Sequence, residues 1–156
     1  MVSMPVTEFE SALPDPAAEE RPGRERDNSM LLTALMVWLY QRRNELGIEV
    51  FPCQDIRVSP SRRVTGDICV TIGEPDEQVF TKPPLLCVEI LSIFVPMWKV
   101  LAKVSDYLNF GVPYVWVIDP RKRKATVYTA TDSHSPEDGV LRTQNPEIAL
   151  PLAELF

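Results

Sequence analysis

An uninterrupted apolar run, Pro84-Leu85-Leu86-Cys87-Val88-Glu89-Ile90-Leu91, carries a single carboxylate near its end, and that combination restricts what the chain can build. The run is strand-sized and β-prone, far short of a membrane span, and reads as a buried strand. A carboxylate inside such a strand needs a partner or a metal ion, because an unpaired buried charge is costly. The next periodic segment, Trp98 to Phe110, places Lys99 and Lys103 four residues apart on one helical face. A second short strand, Asp67-Ile68-Cys69-Val70-Thr71-Ile72, opens with another acid. Two carboxylates on adjacent buried strands with a lysine nearby make a constellation suited to metal-dependent phosphodiester hydrolysis. Asp67 and Glu89 supply hard oxygen ligands for magnesium, and the lysine stabilises charge at the phosphate or positions water.

The elements around this pair follow from periodicity and turn chemistry. A helix is expected from about Ser29 to Leu46, capped by Asp27, Asn28 or Ser29 and stopped by Gly47. Leu31, Leu32, Leu35, Leu39 and Leu46 give it a broad apolar face. Strands follow at Ile48–Phe51, Ile56–Val58, Ile68–Ile72 and Leu85–Leu91, separated by turn signals such as Ser59-Pro60-Ser61. The helix around Lys99 to Asn109 ends at Gly111. Tyr114–Asp119 and Ala125–Ala130 read as strands of a hairpin with a basic turn between them, and Val140-Leu141 as a short strand before an extended apolar tail. The layout is α/β, built around a mixed sheet flanked by helices. Residues 1–28 are rich in Pro, Glu, Ala and Arg and are expected to be loosely ordered, with one domain spanning 29–156.

At 156 residues and 45 % apolar composition, one domain with a genuine core is expected. Nothing reaches the length of a membrane span, and Met1 to Leu13 lacks the pattern of a secretory signal. Cys53, Cys69 and Cys87 are widely spaced in apolar surroundings, which fits buried reduced thiols and a cytoplasmic protein better than a zinc site. The net charge of −6 argues against a protein that coats DNA indiscriminately. It leaves room for a nuclease, whose metal ligands are acidic and whose basic patch is local. Arg62-Arg63 and Arg121-Lys122-Arg123-Lys124 are the candidate patches, or else solvated turns.

The order of these motifs resembles a known family. Val88-Glu89-Ile90-Leu91-Ser92, then a helix ending Lys103-Val104-Ser105-Asp106-Tyr107, then Gly111-Val112-Pro113-Tyr114-Val115-Trp116-Val117-Ile118-Asp119-Pro120, resembles the Uma-two family of the PD-(D/E)XK nuclease superfamily. The likeness runs from about Glu20 to Phe156. It implies a restriction-endonuclease-like fold and a DNA-cleaving enzyme dependent on magnesium, with manganese an alternative. It also implies metal ligation by Asp67, Glu89, the Ile90 carbonyl and a first-helix acid, best matched by Glu20 with Glu25 the alternative. The resemblance places the catalytic lysine at Lys103 on the following helix, since Leu91 occupies the usual superfamily position. Gly66 stands where the family pattern has proline, Asn28 where it commonly has histidine, and the apolar Ile93-Phe94-Val95-Pro96-Met97-Trp98 where it has a polar stretch.

Two functions are therefore carried forward. One is a metal-dependent endonuclease acting on DNA, which cleaves both strands most simply as a homodimer. The other is a catalytically impaired relative that keeps the scaffold as a nucleic-acid-binding or protein-interaction module, favoured if Ile93 to Trp98 is exposed. Geometry separates them: a nuclease needs Asp67 and Glu89 on one face of the sheet with Lys103 pointing in.

Overall fold

A computed structural model describes residues 24–156. Helix α1 (Arg26–Gln41) and the short α2 (Arg43–Leu46) lead into a long hairpin, β1 (Ile48–Ser59) and β2 (Arg62–Ile72). Then come β3 (Leu86–Ile90), α3 (Met97–Phe110), β4 (Tyr114–Asp119), β5 (Lys124–Tyr128) and the two-residue β6 (Ser133–His134). These strands form one sheet in sequential order, β1 to β6. Every neighbouring pair is antiparallel except β3 and β4, which run parallel because α3 carries the chain back across the sheet. β7 (Val140–Arg142) and β8 (Ala149–Pro151) make a separate ribbon, closed by a 3-10 turn at Leu152–Leu155. This is the mixed sheet flanked by helices that the sequence implies.

All five residues of β3 are buried, because helices cover both of its faces. Even-numbered residues of β3 and β4 (Leu86, Val88, Ile90, Trp116 and Ile118) pack in one cluster with Leu31, Leu35 and Leu39 of α1. Odd-numbered ones (Cys87, Val115 and Val117) pack in another with Val100, Val104 and Tyr107 of α3. The strand period of two thus dictates that Glu89 faces α3.

The hairpin does not keep one face throughout. Ile48, Val50, Ile68 and Val70 belong to the α1 cluster, whereas Ile56 and Val64, of the same parity, belong to the α3 cluster. The exchange occurs at Cys53, whose φ is 51°: Pro52 pairs with Ile68 and Gln54 with Gly66, but the pair between them is broken. Such an irregularity bends and twists a strand pair, and Asp67 lies opposite it.

Several boundaries differ from expectation. The single helix from Ser29 to Leu46 is two, broken at Arg42, and α1 starts three residues earlier, at Arg26. The stop at Gly47 holds, with φ at 66° in the left-handed region that glycine adopts without strain. The expected strands Ile48–Phe51 and Ile56–Val58 are one strand, since β1 is an edge strand and Pro52 costs it no ladder bond. Asp67 lies within β2 rather than opening a strand. Among the described residues, no helix is long and apolar enough to cross a membrane.

Candidate active site

Glu89 is 5 % exposed, and both its oxygens are engaged by one face of α3. The Lys103 ammonium donates to Oε2 at 3.0 Å and the Tyr107 hydroxyl to Oε1 at 2.7 Å. These donors are four residues apart, one helical turn, so a single face of α3 presents both. Lys103 also donates to the Thr65 carbonyl at 2.7 Å, tying α3 to β2.

Burial raises the Glu89 carboxyl to about 7, with the Lys103 charge opposing the rise and the Asp67 charge adding to it. The hydrogen bonds from Tyr107 and Lys103 offset only part of the burial. Burial, together with the neighbouring charge of Glu89, pushes the Tyr107 phenol well above its usual value, so it stays a donor. Glu89 is therefore poised near neutrality between its two protonation states, and a nearby cation would favour the ionised one.

Asp67 comes to the same place through strand register. Ile68 pairs with Val88 in the antiparallel β2–β3 ladder, so Asp67 follows at the end of that ladder, and its charge helps raise the Glu89 carboxyl. Its Oδ2 accepts the Ile90 amide at 2.7 Å, and its Oδ1 meets the Arg24 guanidinium at 2.5 Å. Arg24 also donates to Asn28 Oδ1 at 2.8 Å, while Asn28 donates to the Leu91 carbonyl at 2.8 Å. The N-terminal end of α1 is thereby fastened to the end of β3.

Lys103 thus meets Glu89 directly, and Asp67 lies near enough for its charge to act on Glu89. Lys99 does not join them; its ammonium lies over the Trp98 ring, 5.7 Å from the centroid. Glu20 lies outside the described residues. Glu25, the alternative first-helix acid, accepts from Ser92 Oγ at 2.6 Å and the Ile93 amide at 2.8 Å, holding the loop after β3. Ile90 meets Asp67 through its amide, which sets its position at the site.

Three contributors have no role at this site assigned from sequence. Tyr107 is core, fully buried, yet its hydroxyl serves Glu89; its spacing of four from Lys103 is the available signal. Asn28 stands at a position where the family pattern flags a polar residue. Arg24 falls in a segment whose composition carries no structural signal. Gly66, which replaces a proline of the family pattern, has a local reason. A Cβ there would stand 2.8 Å from Cys69 Sγ and 3.4 Å from the Tyr107 hydroxyl.

The donor set suits a hard cation. Asp67, Glu89 and neighbouring backbone oxygens are all-oxygen ligands of the type magnesium and manganese take. Among the described residues, no group of three or more His, Cys, Asp or Glu side chains is arranged for a metal, so the two acids are the whole carboxylate contribution there.

Comparison with known proteins bears on the family and the fold. The family model Uma2, described as "Putative restriction endonuclease", matches residues 17–155. A crystal structure from Anabaena variabilis ATCC 29413, described as "a putative nuclease belonging to DUF820", superposes with a TM-score of 0.77 at 20 % identity, covering 88 % of this chain and 84 % of that one. No curated protein matches the chain.

Proposed function

The chain belongs to the Uma2 family, and we propose that it is a metal-dependent endonuclease hydrolysing phosphodiester bonds in DNA. The observation that carries this is the convergence of Lys103 on Glu89, with Asp67 at the end of the β2–β3 ladder and near enough for its charge to act on Glu89. Asp67, Glu89, the Ile90 carbonyl and Glu20 would hold the Mg²⁺ or Mn²⁺ ion. When bound, that ion supplies Lewis-acid polarisation of the phosphate and a more acidic water.

The remaining roles belong to the chain itself. Lys103 balances the buried charge of Glu89 and stabilises the charge that develops on the phosphate. Tyr107 fixes the Glu89 carboxylate so that one oxygen cannot rotate away. Arg24 neutralises Asp67, and its planar fork would suit a phosphate oxygen pair if a bound cation took its place. The turn Arg121–Lys124 supports DNA as the substrate. Its residues are exposed, and the parallel register of β3 and β4 puts it at the same end of the sheet as Glu89. Three cysteines outside any disulfide accord with a reducing, cytoplasmic setting.

A non-catalytic relative, acting as a nucleic-acid-binding or protein-interaction module, is the second reading, favoured by the exposure of Ile93, Phe94 and Trp98. Incubating supercoiled plasmid with the protein and magnesium or manganese, beside Glu89→Ala, separates the two. Nicking or linearisation by the parent alone supports the nuclease. No cleavage by the parent with either metal, or equal cleavage by the variant, contradicts it.

A further inference from the structure

The chain departs most from its family pattern in the segment after β3, and there the structure leaves an apolar surface uncovered. Ile93, Phe94, Met97, Trp98 and Leu101 are all exposed, Phe94 at 68 % and Trp98 at 67 %. Together they present on the order of 500 Å² of largely apolar surface, at the upper end of what a monomer usually shows. The surface is also held in shape. Glu25 accepts from the Ser92 hydroxyl and the Ile93 amide, and Ser92 Oγ in turn accepts from the Phe94 amide at 3.1 Å. A side chain fixed before association loses less freedom on binding.

Its direction excludes the reacting centre. Met97 and Leu101 precede Lys99 and Lys103 by two residues each, about 200° around the helix axis, and so lie on the opposite flank of α3. Lys103 turns inward to Glu89, while the apolar flank turns away from it. Ala102, Ser105 and Asn109 continue the exposed strip along α3. With them it approaches the roughly 800 Å² that each partner contributes to a standard interface.

We propose that this strip of α3, with the Ile93–Phe94 loop, is the face on which a second copy of the chain docks. Charge selects that occupant. The molecule carries a net charge of −6, yet none of these eight exposed residues is charged. A neutral, apolar face lets two acidic molecules approach without like-charge opposition. Its one bordering cation, Lys99 over the Trp98 ring, is too few for a nucleic-acid backbone, whose binding depends on neutralising several phosphates. Small residues at 102 and 105 let two α3 helices approach closely across a two-fold axis, each copy burying the same strip. Both Glu89 centres stay on the outward flanks.

Sedimentation velocity of the full chain over a wide concentration range tests this. The parent is expected at twice the monomer mass at high concentration, dissociating on dilution. Phe94→Glu/Trp98→Glu is expected to stay monomeric and to melt at the parental midpoint at dilutions where the parent is monomeric too. Leu101→Glu and Leu101→Lys, each weakened alone, are expected to form a mixed dimer on combination, which only a copy-to-copy contact through this face produces. A parent that is monomeric throughout overturns the proposal, as does a Phe94→Glu/Trp98→Glu dimer of undiminished affinity. Quenching of Trp98 fluorescence by oligonucleotide, with the parent monomeric, would overturn it in favour of a nucleic-acid contact. Glu89→Gln is expected to dimerise like the parent, so the outcome does not depend on nuclease activity.

Discussion

At the scale of single residues, the state of Glu89 governs the site. Its carboxyl is raised from 4.5 to about 7, chiefly by burial. Between those values the unfolded chain has released the proton that the folded metal-free protein keeps, so stability falls as pH rises through that window. At about 1.4 kcal/mol per pH unit this is on the order of 3 kcal/mol. Urea unfolding in chelator should show the parent losing that much relative to Glu89→Gln between pH 4.5 and 7, with little further change above. A constant difference between the two proteins across the window would mean that Glu89 titrates normally. Lys103→Met tests the neighbouring role: manganese binding is retained while cleavage falls by about a hundredfold or more, the scale of losing one charge-stabilising group. Cleavage at the parental rate would make Lys103 a structural partner of Glu89 only.

Among the elements, β3, α3 and β4 were the most legible. The apolar run, the spacing of four between Lys99 and Lys103 and the glycine stop at 111 each have a local cause that no tertiary contact overrides. Glu89 was legible for the same reason, as a lone acid in a buried strand. Asp67 was legible as a site residue and less so as part of an element. Short hydrophobic stretches around Pro52 and Gly66 look like breaks, whereas pairing across a long hairpin carries the strands through them. The exchange of faces at Cys53 has no local signature, because it depends on how the hairpin twists between two helices. Gly66 is tied to that packing. Gly66→Ala should cost about 1–3 kcal/mol, the usual cost of overpacking a filled core, because Cys69 Sγ is buried at the point where the new methyl would sit. Adding Cys69→Ala should recover most of it in thermal melts. An unaltered midpoint for Gly66→Ala alone would show that β2 shifts freely.

For the whole molecule, acidic net charge and a local basic turn have separate places in the fold. Charge alone argued against indiscriminate DNA coating, and sequence could not say which end of the sheet would carry Arg121–Lys124. The parallel pairing of β3 and β4 decides that, and parallel pairing is a consequence of the α3 crossover. Arg121→Ala/Arg123→Ala is expected to weaken duplex binding across all sequences. The slope of log affinity against log salt should fall by up to about two, one for each phosphate no longer neutralised. Fluorescence anisotropy at several salt concentrations measures it, and an unchanged slope would place the DNA path elsewhere. Arg24 was the contributor least accessible to sequence, since a guanidinium in a Pro- and Glu-rich segment carries no periodicity to mark its partner. It reaches Asp67 only because the start of α1 is fastened to the end of β3.

Calorimetric titration with manganese measures most directly whether Asp67 and Glu89 form one cation centre. The parent is expected to bind one ion, and Asp67→Ala and Glu89→Ala each to lose that binding while retaining cooperative unfolding. Parental manganese affinity in both folded variants would contradict a shared centre.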